Sequence, residues 1–187
     1  YAGVTHLDVT NLSDGEVQRV RRLIEKHGVA ISGLGYYPNP LHPDADHRRQ
    51  VLEHLKKVIA AAPRLGVKIV NTFVGRDPKK SVPASWPLFM HVWPELVGCP
   101  EQAGVTLGIE NCPMLFTHDE WPGGANLATS PAIWRTMFEK IPSVHWGLNF
   151  DPSHLVWQHI DCVACIRKFG KRIVHFHAKD TRVDAAK

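Results

Sequence analysis

Three short segments of the chain carry residue types suited to chemistry rather than packing. Glu110 lies in GIEN, Asp151 opens DPSH with His154 three residues on, and His177 and Lys179 fall in HFHAKD. Each follows a short apolar, β-rich run, so each is read at the C-terminal end of a different strand, the three strands being consecutive. Neighbouring parallel strands lie about 4.8 Å apart, so side chains from three adjacent ends can meet at one point. Two carboxylates and an imidazole make a mixed oxygen and nitrogen donor set, which suits Mn2+, Zn2+, Co2+ or Mg2+ better than a soft, thiolate-preferring ion. A single buried carboxylate more often just pairs with a Lys or Arg. Three ligand types at three successive strand ends have no such simple structural reading, because burying them unpaired is costly.

The elements that must position these residues are legible as a repeat: an apolar run, a polar loop, then a helical period closed by Gly. Strands are expected at Gly3 to Thr10, Val29 to Tyr36, Lys68 to Val74, Val105 to Ile109, Val144 to Phe150 and Ile173 to Phe176. Between the first two, Ser13 reads as an N-cap with Glu16 at the capping-box position and Gly28 as the C-terminal stop. A long amphipathic helix runs from Val51 to Leu65, its last turn kinked by Pro63. Helices also start at Ser130-Pro131 and span Asp161 to Phe169. The stretch holding Pro78, Pro83, Pro87, Pro94 and Pro100 is expected to be irregular, any helix in it short or broken. Strands alternating with helices give an α/β fold with a parallel sheet, either doubly wound or a (β/α)8 TIM barrel. No glycine-rich phosphate loop follows any strand, and polar residues gather at several strand ends, which favours the barrel.

Composition narrows the class. Hydrophobic residues make up 44% and charged residues 21% of 187, a globular balance. No run is long and apolar enough for a membrane helix, and the first residues lack signal-peptide character, so no membrane partner and a cytoplasmic location are expected. The net charge of +4 comes from scattered basic residues rather than a stripe, which argues for small anionic ligands over nucleic acid. Four cysteines do not make a disulfide scaffold; Cys162 and Cys165 form a C-x-x-C with no second pair, read as packing residues on one helical face. Histidine, at 12, is the unusual count.

The segments GIENCP, NFDPSHLVW and RIVHFHAKDTR, in that order, together with NPLHP at Asn39 to Pro43, resemble the xylose isomerase-like sugar phosphate isomerase/epimerase family. That family also contains inosose dehydratase and is more distantly related to endonuclease IV. The resemblance runs from about Gly3 to Arg182. It implies a TIM barrel in which Glu110, Asp151 and His177 are metal ligands on strands five, six and seven, the fourth being a Glu on strand eight with no counterpart in this sequence. It further implies that His154, Lys179, Arg182, Asn39 and His42 contact substrate. His175, alternating with His177, is expected at a different face or depth, in the core or behind the site.

The implied reaction removes and returns a proton next to a carbonyl. A divalent ion chelates the carbonyl and hydroxyl oxygens and stabilises the enediolate, while Glu110 doubles as ligand and acid/base. The substrate is then a small sugar or sugar phosphate, and the family's habit implies a homo-oligomer. Three alternatives stand beside this: a dehydratase-type lyase beginning with the same proton abstraction, an endonuclease IV-like hydrolase disfavoured by the missing basic groove, and an inactive remnant. TIM barrels typically take about 250 residues. The motifs here map to strands two to seven, so residues 1–187 read as a single, incomplete barrel domain.

Overall fold

The computed structural model describes residues 6–114, 124–179 and 181–184. The chain alternates helices and strands. First come α1 (Asp14–His27), β1 (Leu34–Gly35), α2 (Ala45–Arg64), β2 (Ile69–Thr72), α3 (Val82–Ala103) and β3 (Thr106–Glu110). There follow α4 (Pro131–Lys140), β4 (Trp146–Phe150), α5 (Ser153–Val156), α6 (Cys162–Phe169) and β5 (Ile173–Phe176). The described strands form one parallel sheet in the order β1-β2-β3-β4-β5. Every strand lies beside its sequence neighbours and the order never reverses, as happens when a barrel is wound rather than a doubly wound sheet. The fold is thus an arc of a TIM barrel, with the strand C-termini at one rim.

Local chemistry explains the element ends. Ser13 caps α1 by accepting from Glu16 N at 3.2 Å, and Gly28 ends it in the left-handed region at φ 59°. The Glu16 carboxylate does not close a capping box; it pairs with Arg19 at 2.7 Å. Asp44, Ser81 and Asp161 cap α2, α3 and α6 in the same way.

Two expectations are corrected. Of the strand expected at Gly3 to Thr10, residues 6–10 are bends and turn, not strand. Asp8 accepts from Thr10 N at 2.9 Å, Thr10 Oγ1 at 2.6 Å and Asn11 Nδ2 at 2.8 Å, a local Asx arrangement that competes with ladder bonding. The sheet therefore has five described strands rather than six, and the second expected strand narrows to Leu34–Gly35. The proline-rich stretch, in turn, is the longest described helix, α3, of 22 residues. Pro83 sits in the first turn, where no helical bond is lost, Pro87 and Pro94 lie on the exposed side of the helix, and Pro100 is buried near the C-terminal end. Its other face buries Phe89, Val92, Trp93, Leu96 and Val97 at helical spacing. Apolar burial along that face outweighs the propensity penalty.

The core lies between the outer face of the sheet and the helices. Trp93, Trp134 and Trp146 are fully buried there, and each indole N–H donates to a main-chain carbonyl, of Val74, Ala128 and Ile141 respectively. The inner face is polar and carries Asn71, Glu110 and Asn149. Gly147 allows β4 and β5 to approach closely: a Cβ there would stand 2.2 Å from the Arg172 carbonyl oxygen and 2.7 Å from Val174. No described helix is long and apolar enough to cross a membrane.

Candidate metal centre

Register decides how the site assembles. Glu110 pairs with Asn149 across β3 and β4, and Asn149 with His175 across β4 and β5. Asp151 and His177 stand two residues beyond Asn149 and His175, one step nearer the rim on the same face. The longer Glu110 side chain rises to meet them. His177 Nδ1 lies 3.6 Å from Glu110 Oε1 and 3.4 Å from Asp151 Oδ2. His154 Nε2, on α5, lies 3.7 and 3.5 Å from the same two oxygens.

Each donor is held from behind. Asn111, fully buried, grips the Asp151 main chain twice: its Nδ2 donates to Asp151 O at 2.9 Å and its Oδ1 accepts from Asp151 N at 2.7 Å. Asp151 Oδ1 is consumed by Ser153, accepting from N at 3.0 Å and Oγ at 2.5 Å. Only Oδ2 faces the cluster, and Lys179 Nζ donates to it at 2.6 Å. Burial opposes ionisation of Asp151, but its hydrogen bonds to Lys179 and Ser153 and the nearby charges outweigh that and hold its pKa below the usual value. The His177 ring is braced by Asn149, whose Nδ2 lies 3.1 Å from Nε2. Tyr37, following β1, hydrogen bonds Glu110, and burial followed by the Glu110 charge pushes its phenol well above the ordinary range. Asn126 joins the rim loops, donating to the Glu110 and Cys112 carbonyls at 2.9 and 2.7 Å and accepting from Val74 N at 3.1 Å.

This arrangement fits a divalent cation. His177 Nδ1 is buried without a hydrogen-bond partner, an arrangement that is costly unless something fills it. Ligand atoms about 2.1 Å from one shared ion stand roughly 3.0 to 3.5 Å apart, close to the separations seen here. The ligand atoms of Glu110, Asp151 and His177 all lie within 4.8 Å of one another, as do those of Glu110, Cys112 and His154. For His154, burial disfavours the charged ring, but the neighbouring Cys112, Glu110 and Asp151 groups prevail and raise its pKa to about 9.

The other expected residues are more dispersed. Asn39 is buried, and its amide is spent on main chain, donating to Arg76 O at 2.7 Å and accepting from Leu41 N and Arg76 N. His42 accepts from Asp44 N at 3.2 Å and packs against the His47 ring. Both help line an open cavity of about 260 Å³ bounded also by Asp77 and Lys79, just under the usual size of ligand pockets, about 300 Å³ upward. Arg182 is exposed, and among the described residues it makes no hydrogen bond or ion pair with the cluster. His175 shares the face of His177 rather than taking the opposite one, but lies one step deeper, behind the site as expected, the rings meeting edge-on at 5.9 Å, with His175 bonded to Asn149 and Ser32. Tyr37, Cys112, Asn126 and Asn149 went unread in the sequence as site residues, and Asn111 was marked only as one of the polar residues at the strand ends. Asn111 and Cys112 stand inside the GIENCP motif, which was the available signal.

The family model described as xylose isomerase-like TIM barrel matches residues 1–187, and the chain belongs to that family. An uncharacterized protein of Bacillus subtilis (strain 168), YfiH, is 28% identical over 207 residues, spanning 96% of this chain and 61% of its own length. Among solved structures, 3-keto-D-glucoside 4-epimerase YcjR from E. coli matches with a TM-score of 0.72 at 13% identity, over 89% of this chain and 65% of that one. The IolI protein, solved with a zinc atom bound, matches with a TM-score of 0.71 at 16% identity, over 94% and 59%. The chain thus spans about three fifths of the length of these relatives.

Proposed function

We propose that the protein is a divalent-metal-dependent isomerase or epimerase acting on a sugar or sugar phosphate. Glu110, Asp151 and His177 hold the ion, and Glu110 also serves as the base. One observation carries this reading: a buried, unpartnered imidazole nitrogen facing one oxygen from each of two carboxylates at a barrel rim. A zinc atom in one structural neighbour and epimerase activity in another support it.

When bound, the ion supplies Lewis acidity to substrate oxygens and stabilises the charge that develops beside a carbonyl. The chain's own groups do the rest. Glu110 takes the proton next to the carbonyl, held in place by the Tyr37 hydroxyl. Asp151 stays a fixed anion, its main chain clamped by Asn111 and its Oδ1 by Ser153. His154, on the rim side of the carboxylates, offers an N–H to a substrate oxygen. Lys179, half-exposed, holds an oxyanion or phosphate once Asp151 Oδ2 is otherwise neutralised, and Arg182, Asn39 and His42 flank the substrate's far end.

The test is solvent isotope exchange. Incubated in D2O with Mn2+ or Co2+ and a panel of keto-sugars, sugar phosphates and inososes, the intact protein should incorporate deuterium next to the substrate carbonyl, and chelation should stop it. Glu110→Gln should abolish exchange with substrate affinity largely kept. Wild-type exchange in that variant would remove Glu110 as the base, and loss of a β-hydroxyl from the substrate would move the reaction to the lyases.

A further inference from the structure

Glu110 belongs to two donor clusters. One is completed by Asp151 and His177, the other by Cys112 and His154, and in each every ligand atom lies within 4.8 Å of the other two. The two sets differ in chemistry. The first offers oxygen, oxygen and nitrogen; the second offers oxygen, nitrogen and sulfur, and thiolate strongly favours Zn2+ and its near relatives over Mg2+ or Mn2+. Cys112 is half-buried and free of any disulfide, and its Sγ lies within 4.8 Å of a ring nitrogen of His154.

We propose that Glu110, Cys112 and His154 form a second cation position of zinc-class selectivity, bridged through Glu110 to the position proposed above, on whose existence it rests. The carboxylates divide the work accordingly. Asp151 has a single oxygen to give, since Ser153 occupies Oδ1. Glu110 has two oxygens with about four lone-pair sites between them, enough to serve two ions. His177 then serves the first position, and His154, which also lies 3.5 Å from Asp151 Oδ2, turns from the substrate's hydrogen-bond donor into a ligand of the second when Zn2+ or Co2+ binds. A coordinated thiol ionises outright, its proton released to solvent as the ion binds, so the ion would convert Cys112 into the soft donor that selects it. The consequence is a metal-dependent stoichiometry: Mn2+ and Mg2+ fill one position, Zn2+ and Co2+ fill both.

Co2+ reads the two positions separately. Titrated into the intact metal-free protein, Co2+ should bind at two equivalents, giving visible ligand-field bands and a near-ultraviolet thiolate-to-cobalt charge-transfer band, whereas Mn2+ should bind at one. Cys112→Ser should lose the charge-transfer band and one equivalent while keeping the remaining ligand-field bands. Cys165→Ser, altering a cysteine in α6, should change none of these. Retained ligand-field bands are themselves the evidence that Cys112→Ser is folded. A single equivalent of Co2+ in the wild type, or a charge-transfer band that survives Cys112→Ser, overturns the second position and leaves the first standing. Absence of Co2+ binding in both proteins overturns the two together.

Discussion

At the scale of the residue, the site is set by which atoms are already spoken for. Asp151 has no exposed surface, yet it is anchored by four hydrogen bonds from Asn111 and Ser153, two on the main chain and two on Oδ1. That leaves one oxygen with a fixed direction, and supporting bonds of this kind orient ligands and tune their affinity. Asn111→Ala should therefore act twice. It strands a buried N–H and a buried carbonyl, costing about 2–6 kcal/mol at 1–3 per unmet group, read as a lowered melting temperature. It should also weaken metal binding about 10- to 100-fold, read by titration of the metal-free protein. An unchanged metal affinity in a destabilised but folded variant would show that Asn111 supports the fold alone.

Secondary-structure elements bring the donors to a common rim, and here close approach matters more than propensity. β4 and β5 pair through a register shift at Leu148/Asn149, with Gly147 facing the Arg172 carbonyl. Main chain cannot yield as a flexible side chain would, so Gly147→Ala should cost about 1–3 kcal/mol as overpacking. Because β5 delivers His177, the same change should reduce metal affinity more than a comparably destabilising substitution in α1. Thermal melts paired with metal titrations would separate the two effects. The helix α3 teaches the complementary lesson: with Pro83, Pro87 and Pro94 on the wet face and Pro100 buried only near its C-terminal end, the apolar face stays intact.

On the scale of the whole molecule, the ion is expected to act as a ligand of the folded state. A ligand bound only by the native chain stabilises it by about 2.7 kcal/mol at a concentration 100 times Kd. Zn2+ or Mn2+ should thus raise the melting temperature of the metal-free protein, a chelator should reverse this, and Asp151→Asn should remove the response. A melting temperature indifferent to every divalent ion would count against the metal centre as a whole.

The sequence by itself determined the alternation of helix and strand, the capped ends of α1, and Glu110, Asp151 and His177 as chemistry-bearing residues at three strand ends. These follow from local rules: apolar period, capping chemistry and donor type at the end of a β-rich run. Tertiary structure decided the rest. Whether Asp8 to Asn11 would ladder or turn, and whether α3 would survive its prolines, depended on partners and on which face was buried. The supporting shell of Tyr37, Asn111, Asn126 and Asn149 is drawn from positions up to 112 residues apart in sequence, a proximity that only parallel strand register creates. The same register placed Cys112 and His154 against Glu110, turning a carboxylate marked by its motif into one shared between two donor sets.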